Sequence, residues 1–149
     1  MFSLRKTQLI DAPVTEVFSF FERPENLEKI TPTWLGFTIL NTQPLDMGLS
    51  AEFDYTIKMF GLKLKWRSKI TNYKPPYSFT DVQIVGPYKL WVHNHTFIEQ
   101  GKRTLMTDIV EYKLYGGMFS SVLNKIFVKK KLEEIFSYRQ EKIDLIFKQ

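Results

Sequence analysis

The sequence holds two histidines, and they stand two positions apart, at His93 and His95. In an extended chain, residues i and i+2 project from the same face. A strand here therefore carries two imidazoles side by side, the side chains whose proton exchanges nearest neutral pH. The same parity adds Trp91 and Phe97 to that face and leaves Leu90, Val92, Asn94, Thr96 and Ile98 on the other. Two aspartates occur at matching parity in neighbouring alternating stretches. Asp81 shares a face with Phe79, Gln83 and Val85; Asp108 shares one with Met106, Val110 and Tyr112. Neither face of residues 90–98 is plainly polar, so the aromatic weight of the first set decides that it looks inward. A buried polar group without a partner costs about 1–3 kcal/mol, and a charge costs more. His93 or His95 is therefore expected to hydrogen-bond Asp81 or Asp108 across neighbouring strands.

Three kinds of chemistry suit such a cluster. It can be a satisfied network that braces the sheet. It can supply the few placed polar groups of an otherwise greasy ligand pocket. It can also be a His–Asp general base, although no nucleophile motif or oxyanion loop accompanies it. Metal binding ranks below all three. His93 and His95 can chelate at i, i+2, but with no Cys and no third His the ligand set would need both aspartates. No metal and no cofactor are expected.

The elements that would position these residues follow from periodicity. Residues 3–10 alternate as a first strand. Asp11-Ala12-Pro13 looks like a helix start, with Asp11 able to cap and Pro13 suited to the first turn. Val14, Val17, Phe18 and Phe21 give that helix an apolar face to about Arg23, and residues 26–30 form a second short helix. Strands are predicted over 36–41, 51–59, 62 to the Pro75-Pro76 pair, 78–85, 88–99 and 103–114, with 43–48 turn-like. Phe53, Tyr55, Ile57 and Met59 share one face. Leu62, Leu64, Trp66, Ser68 and Ile70 share another, opposite Lys63, Lys65, Arg67 and Lys69. Gly116-Gly117 marks a switch to helical period over 118–147, where Phe119, Val122, Leu123, Ile126, Phe127, Leu132, Ile135, Phe136, Ile143, Ile146 and Phe147 make one broad stripe. A helix of that length, roughly 45 Å, must bury its stripe, and only the sheet is large enough to cover it. The fold class is α+β: a curved seven-stranded antiparallel sheet around a long C-terminal helix, with two short helices after the first strand, in one domain over residues 1–149.

Composition sets the outer limits. At 149 residues, 44% hydrophobic and 25% charged, the chain can bury a sizeable core and is not a disordered segment. Aromatics at 15% either fill a large core or line an apolar cavity. The absence of Cys excludes a disulfide scaffold and a thiolate nucleophile. No apolar leader and no stretch of membrane-spanning length is read, so the expected location is cytoplasmic without integral membrane association. The net charge of +5 is dispersed, and its one run, Lys129-Lys130-Lys131, reads as a solvated face. Nucleic acid is not an expected partner, because aromatic and basic residues do not interleave on one face.

Several motifs, in this order, resemble the SRPBCC superfamily of START, birch-pollen-allergen and polyketide-cyclase-like proteins, and within it a subgroup of bacterial ligand-binding domains. They are Ala12-Pro13-Val14-Thr15-Glu16-Val17-Phe18, Asn26-Leu27-Glu28-Lys29-Ile30-Thr31-Pro32, Trp66-Arg67-Ser68-Lys69-Ile70, Phe79-Thr80-Asp81-Val82-Gln83, Gly86-Pro87-Tyr88, Trp91 to Phe97, and Asp108-Ile109-Val110-Glu111-Tyr112. The resemblance spans nearly the whole chain. It implies a helix-grip fold and a cavity for a hydrophobic ligand, and some relatives are cyclases or hydrolases. Fold alone does not fix function.

The leading expectation is a non-enzymatic module that holds a lipid-like or aromatic small molecule between sheet and helix. Its site would be drawn from Tyr55, Trp66, Ser68, Phe79, Asp81, Gln83, Trp91, His93, His95, Phe97, Asp108 and Tyr112. Trp34 is expected to cap one end of the cavity as core. The first rival is a cyclase, dehydratase or hydrolase using His93, His95, Asp81 and Asp108. The second is a protein- or membrane-interaction module using the basic helix around Lys125 to Lys131.

Overall fold

The computed structural model describes residues 1–42 and 45–148. Among these residues seven strands form one antiparallel sheet in the order β1-β7-β6-β5-β4-β3-β2. They are β1 (Phe2–Ile10), β2 (Thr38–Ile39), β3 (Glu52–Met59), β4 (Leu62–Lys74), β5 (Ser78–Val85), β6 (Leu90–Gln100) and β7 (Arg103–Lys113). From β3 onward, each strand pairs with the next in sequence. The hairpins turn where the sequence punctuates them. Phe60 and Gly61 both take positive φ between β3 and β4, the twist a two-residue hairpin requires. The first strand closes against the last, Leu4 opposite Val110.

Between β1 and β2 lie helix α1 (Val14–Phe21), a 3₁₀ segment (Pro24–Ile30) and a single turn (Thr33–Leu35). The apolar face of α1 is buried as its spacing predicts: Val14, Val17, Phe18 and Phe21. Phe18 meets Phe97 edge-on at 5.4 Å between ring centroids. Three local expectations are corrected. Asp11 makes no capping bond, because Pro13 occupies the cap position and brings no side-chain donor or acceptor. The second short helix is 3₁₀ and starts at Pro24, whose fixed φ suits a first turn. The strand expected over 36–41 shrinks to two residues, since Gly36 in a left-handed conformation (φ 59°) first ends the preceding turn. The turn-like stretch 43–48 falls partly on Gln43 and Pro44, outside the described residues.

The C-terminal helical segment is less uniform than its stripe suggests. Gly116 (φ 111°) and Gly117 (φ 53°) make the sharp exit from β7 that only glycine adopts without strain. A 3₁₀ turn (Gly117–Phe119) and helix α2 (Ser120–Leu123) follow. The chain then widens to a π-helical turn (Asn124–Val128) before α3 (Lys129–Ile146). Leu132, Phe136, Ile143 and Phe147 are buried. Phe119, Val122, Leu123, Ile126 and Phe127 are exposed, and so is Ile146 near the end, so burial of the expected stripe is confined to part of its second half. The β3–β4 hairpin tip, exposed at Phe60 and Leu62, borders the same cavity as the exposed Leu123 and Phe127.

Among the described residues, two clusters make up the core. One joins α1, Ile30, Phe53, Ile70, Phe79, Phe97, Ile143 and Phe147. The other joins Ile57, Trp66, Tyr88, Trp91, Tyr112, Leu132 and Phe136.

Candidate functional site

A cavity of about 730 Å³ lies between the concave face of the sheet and α3. Members of both core clusters line it, among them Phe53, Ile57, Trp66, Phe79, Trp91, Leu132 and Phe136. That size and aromatic lining are those of sites that bury a small molecule.

Strand register builds its polar end. On the central strand β6, His93 stands opposite Asp81 of β5 and His95 stands opposite Asp108 of β7. The hydrogen bonds run along the diagonals instead. His93 Nε2 is 2.8 Å from Asp108 Oδ1, and His95 Nε2 is 2.8 Å from Asp81 Oδ2. The two imidazoles overlie each other with 3.7 Å between centroids, and Phe79 stacks on His95 at 4.1 Å. His95 Nδ1 lies 3.0 Å from Asp108 Oδ1, at an angle that makes no hydrogen bond. Both histidines and Asp108 are buried.

The electrostatics separate the two rings. For His93, burial and the neighbouring His95 charge outweigh its carboxylate partners and push its pKa below the ordinary imidazole value. Burial also acts against His95, but Asp108 and Asp81 together overcome it and raise its pKa. A proton shared by the pair therefore sits on His95. Burial opposes ionisation of both aspartates, and the imidazole hydrogen bonds and charges prevail, holding both below the usual carboxylate range. An ionised carboxylate only accepts, so His93 carries its proton on Nε2, facing Asp108. When neutral, its Nδ1 keeps a free lone pair, 3.8 Å from Asp81 Oδ2. That nitrogen can accept a hydrogen bond or a proton from a bound molecule. Asp81, His93 and His95 also bring ligand atoms within 4.8 Å of one another, so a divalent cation would find three donors there. Both Nε2 atoms are already paired with carboxylates, while His95 Nδ1 makes no hydrogen bond.

A second polar group sits on β3 and β4. Ser68 Oγ accepts from Trp66 Nε1 at 3.0 Å and lies 3.3 Å from the Tyr55 hydroxyl. Burial raises the Tyr55 pKa, so the phenol stays protonated.

Eight of the twelve candidate residues line the cavity: Tyr55, Trp66, Ser68, Phe79, Asp81, Trp91, His93 and His95. The other four stand behind or beside it. Asp108 holds both imidazoles from the rear. Phe97 packs under α1. Tyr112 donates to Asn124 Oδ1 in the π-helical turn. Gln83 folds over Gly86 and bonds both the N–H and the C=O of Tyr88, fixing the β5–β6 turn. Trp34 lines the mouth but is half-exposed under Lys131, so it is not core. Strand parity could not find the contribution of α3, which places Leu132, Ile135, Phe136 and Arg139 in the lining. Its signal was an arginine lying inside an apolar stripe, three positions past Phe136 and four before Ile143.

Residues 10–135 match the model of a family described as polyketide cyclase / dehydrase and lipid transport. Solved structures share the fold at low identity. Protein Ms6760 from Mycobacterium smegmatis is 22% identical with a TM-score of 0.71, over 97% of this chain and 89% of that one. The ginseng major latex-like protein 151 from Panax ginseng is 11% identical with a TM-score of 0.68, over 99% of this chain and 98% of that one. A nucleoside-diphosphate sugar epimerase from Corynebacterium glutamicum is 23% identical with a TM-score of 0.65, and 94% of this chain corresponds to 28% of that protein. None of the curated proteins matches the chain. The helix-grip fold, the motif order and the match over residues 10–135 make this chain a member of the polyketide cyclase / dehydrase and lipid transport family, within the SRPBCC superfamily.

Proposed function

We propose that the chain, as one domain over residues 1–149, binds a lipid-like or aromatic small molecule in the cavity between sheet and α3. One observation carries this reading: a 730 Å³ space with an aromatic and aliphatic wall and a polar cluster confined to a few strand positions. Apolar burial supplies the affinity, at about 25 cal/mol per Å² removed from water. The Tyr55–Ser68 and His93–His95 groups set orientation. Fluorescence titration with fatty acids, sterol-like and polycyclic probes, followed by native mass spectrometry of the purified protein, tests it. Saturable binding that a Leu132→Trp variant abolishes while still folding is the expected result. A flat response across the panel, with no small molecule carried from the cell, sinks it.

The exposed apolar face supports a second reading, of surface docking. Phe60 and Leu62 on the hairpin tip and Leu123 and Phe127 on the helical segment are all exposed, and all line the mouth of the cavity. Lys125, Lys129, Lys130 and Lys131 stand exposed along the same segment. Apolar side chains ringed by lysines fit an anionic lipid surface. A hydrophobic ligand could then pass between bilayer and cavity without crossing water. Among the described residues no helix is long and apolar enough to cross a membrane, so such docking is peripheral.

An enzymatic reading rests on the free Nδ1 of His93 beside a buried Asp–His pair. Turnover of a polyketide-like or ester substrate that vanishes in a folded His93→Ala variant would favour it over simple binding.

A further inference from the structure

Among the described residues Arg139 is a cation without a hydrogen-bonded acceptor. It stands on α3 within the cavity wall, its guanidinium 4.8 Å from the centroid of the Phe136 ring. Its Nε is buried and makes no hydrogen bond. Among the described residues no carboxylate lies within 4.0 Å of it. A guanidinium carries five N–H donors in a rigid fork, and leaving the buried Nε–H unpaired is costly.

The nearby polar groups are engaged elsewhere. Asp81 and Asp108, whose charges Arg139 feels, are taken by His95 and His93. Ser68 already serves Trp66 and Tyr55. The other Lys and Arg side chains of the lining, Lys58 and Lys131, are exposed. Arg139 is thus the one non-exposed Lys or Arg among the described lining residues, and it borders a largely apolar space.

We propose that Arg139 is the anchor for a carboxylate, so that the ligand is an amphipathic monocarboxylic acid whose apolar body fills the cavity. This rests on the small-molecule reading above and narrows it to a chemical class. The planar fork matches a carboxylate in two parallel hydrogen bonds. A bound carboxylate gives the buried, unpaired Nε–H its acceptor without breaking an existing pair. A phosphate monoester, carrying nearly two charges, would meet repulsion from Asp81 and Asp108 that one guanidinium does not offset.

The test compares matched probes by calorimetry or fluorescence displacement: a long-chain fatty acid against its primary alcohol, and an aromatic carboxylic acid against its primary amide. Wild-type protein should bind at least one acid tenfold or more tighter than its neutral partner. Arg139→Met keeps the length and apolar stem and should erase that preference while leaving alcohol or amide binding within about threefold of wild type. Arg139→Lys keeps the charge without the fork and should restore part of the preference. Circular dichroism and thermal melts verify that each variant folds. Equal affinity for acid and neutral partner in wild type, or an acid preference that survives in Arg139→Met, overturns the anchor and leaves the cavity reading intact. Failure of all four probes to bind wild type overturns both.

Discussion

His93 faces Asp81 across the β5–β6 ladder yet donates to Asp108, at 2.8 Å on the opposite neighbouring strand. The diagonal pairing makes Asp108 the rear support of both imidazoles, since His95 Nδ1 lies 3.0 Å from the same oxygen. Asp108 is buried and lies outside the cavity lining, so a ligand does not need to touch it to depend on it.

Replacing Asp108 by Asn should therefore act through the rings. The variant loses a buried ion pair and should cost about 3–5 kcal/mol of folding stability, the usual result of removing one partner. The raised pKa of His95 depends on Asp108 before Asp81 and should fall in the variant. Histidine NMR titration together with denaturant unfolding reads both effects. An unchanged His95 titration would show that Asp108 does not hold the pair.

The same geometry predicts how stability follows pH. His95 has a raised folded pKa, so its contribution is complete below the unfolded value of about 6.5 and is lost as pH rises through the folded pKa. His93 has a depressed folded pKa, so the folded state loses stability as pH falls from about 6.5 through that lower value. The two effects oppose each other and leave a shallow maximum of melting temperature near pH 6.5. Below about pH 4 the depressed pKa values of Asp81 and Asp108 add a steeper acid loss. Melting curves at constant ionic strength check it. A melting temperature that climbs steadily from pH 6 to pH 9 contradicts the assignment of the proton to His95.

Ser68 is small but receives two large neighbours. Trp66 Nε1 donates to it, and the Tyr55 hydroxyl shares it at 3.3 Å. Ser68→Ala removes the acceptor and leaves the indole N–H of a buried tryptophan unpaired, at about 1–3 kcal/mol. The measurement is chemical denaturation, with tryptophan emission as a local report on the indole. Wild-type stability in the alanine variant would mean that water satisfies the indole.

These residues show what the sequence could and could not reveal. Period-two alternation with an aromatic bias put Trp91, His93, His95 and Phe97 on one buried face, and all four are buried. The polar cluster was legible because two histidines and two aspartates held the same parity on consecutive strands. Parity does not distinguish facing the interior from lining its empty part. Phe97 and Tyr112 point inward and are covered by α1 and the π-helical turn instead. Helical periodicity misled more. A stripe from Phe119 to Phe147 predicts one buried surface, but burial depends on where the sheet ends, which no local pattern contains. Arg139 was hidden for the opposite reason: an arginine among apolar positions reads as a surface residue until the cavity is known.

Tyr112 ties the sheet to the irregular part of the helix. Its hydroxyl donates to Asn124 Oδ1, and Asn124 is buried at the start of the π-helical turn. Tyr112→Phe leaves the buried Asn124 Oδ1 without its donor and should cost about 1–3 kcal/mol. Its sharper effect should be local, with faster amide hydrogen exchange over 124–128 than over α3. Uniform exchange along both segments would detach the turn from Tyr112.

The exposed apolar helix face can lose its apolar side chains at little cost to the fold. Phe119 and Ile126 are exposed by 72% and 55%, so replacing both with Ser removes little folding stability, roughly within 0.5 kcal/mol per site. If this face docks on lipid, the double variant should lose binding to vesicles containing anionic phospholipid. Neutralising Lys129, Lys130 and Lys131 with Gln should lower the same binding and remove its dependence on salt, at about 1 kcal/mol per lysine near a charged surface. Neutral vesicles serve as the comparison, and the melting temperature of each variant shows that the fold is kept. Vesicle binding unchanged in both variants would leave the apolar face without a lipid role. Loss of self-association in the serine variant, with no vesicle binding in the wild type, would assign the face to a second copy of the chain.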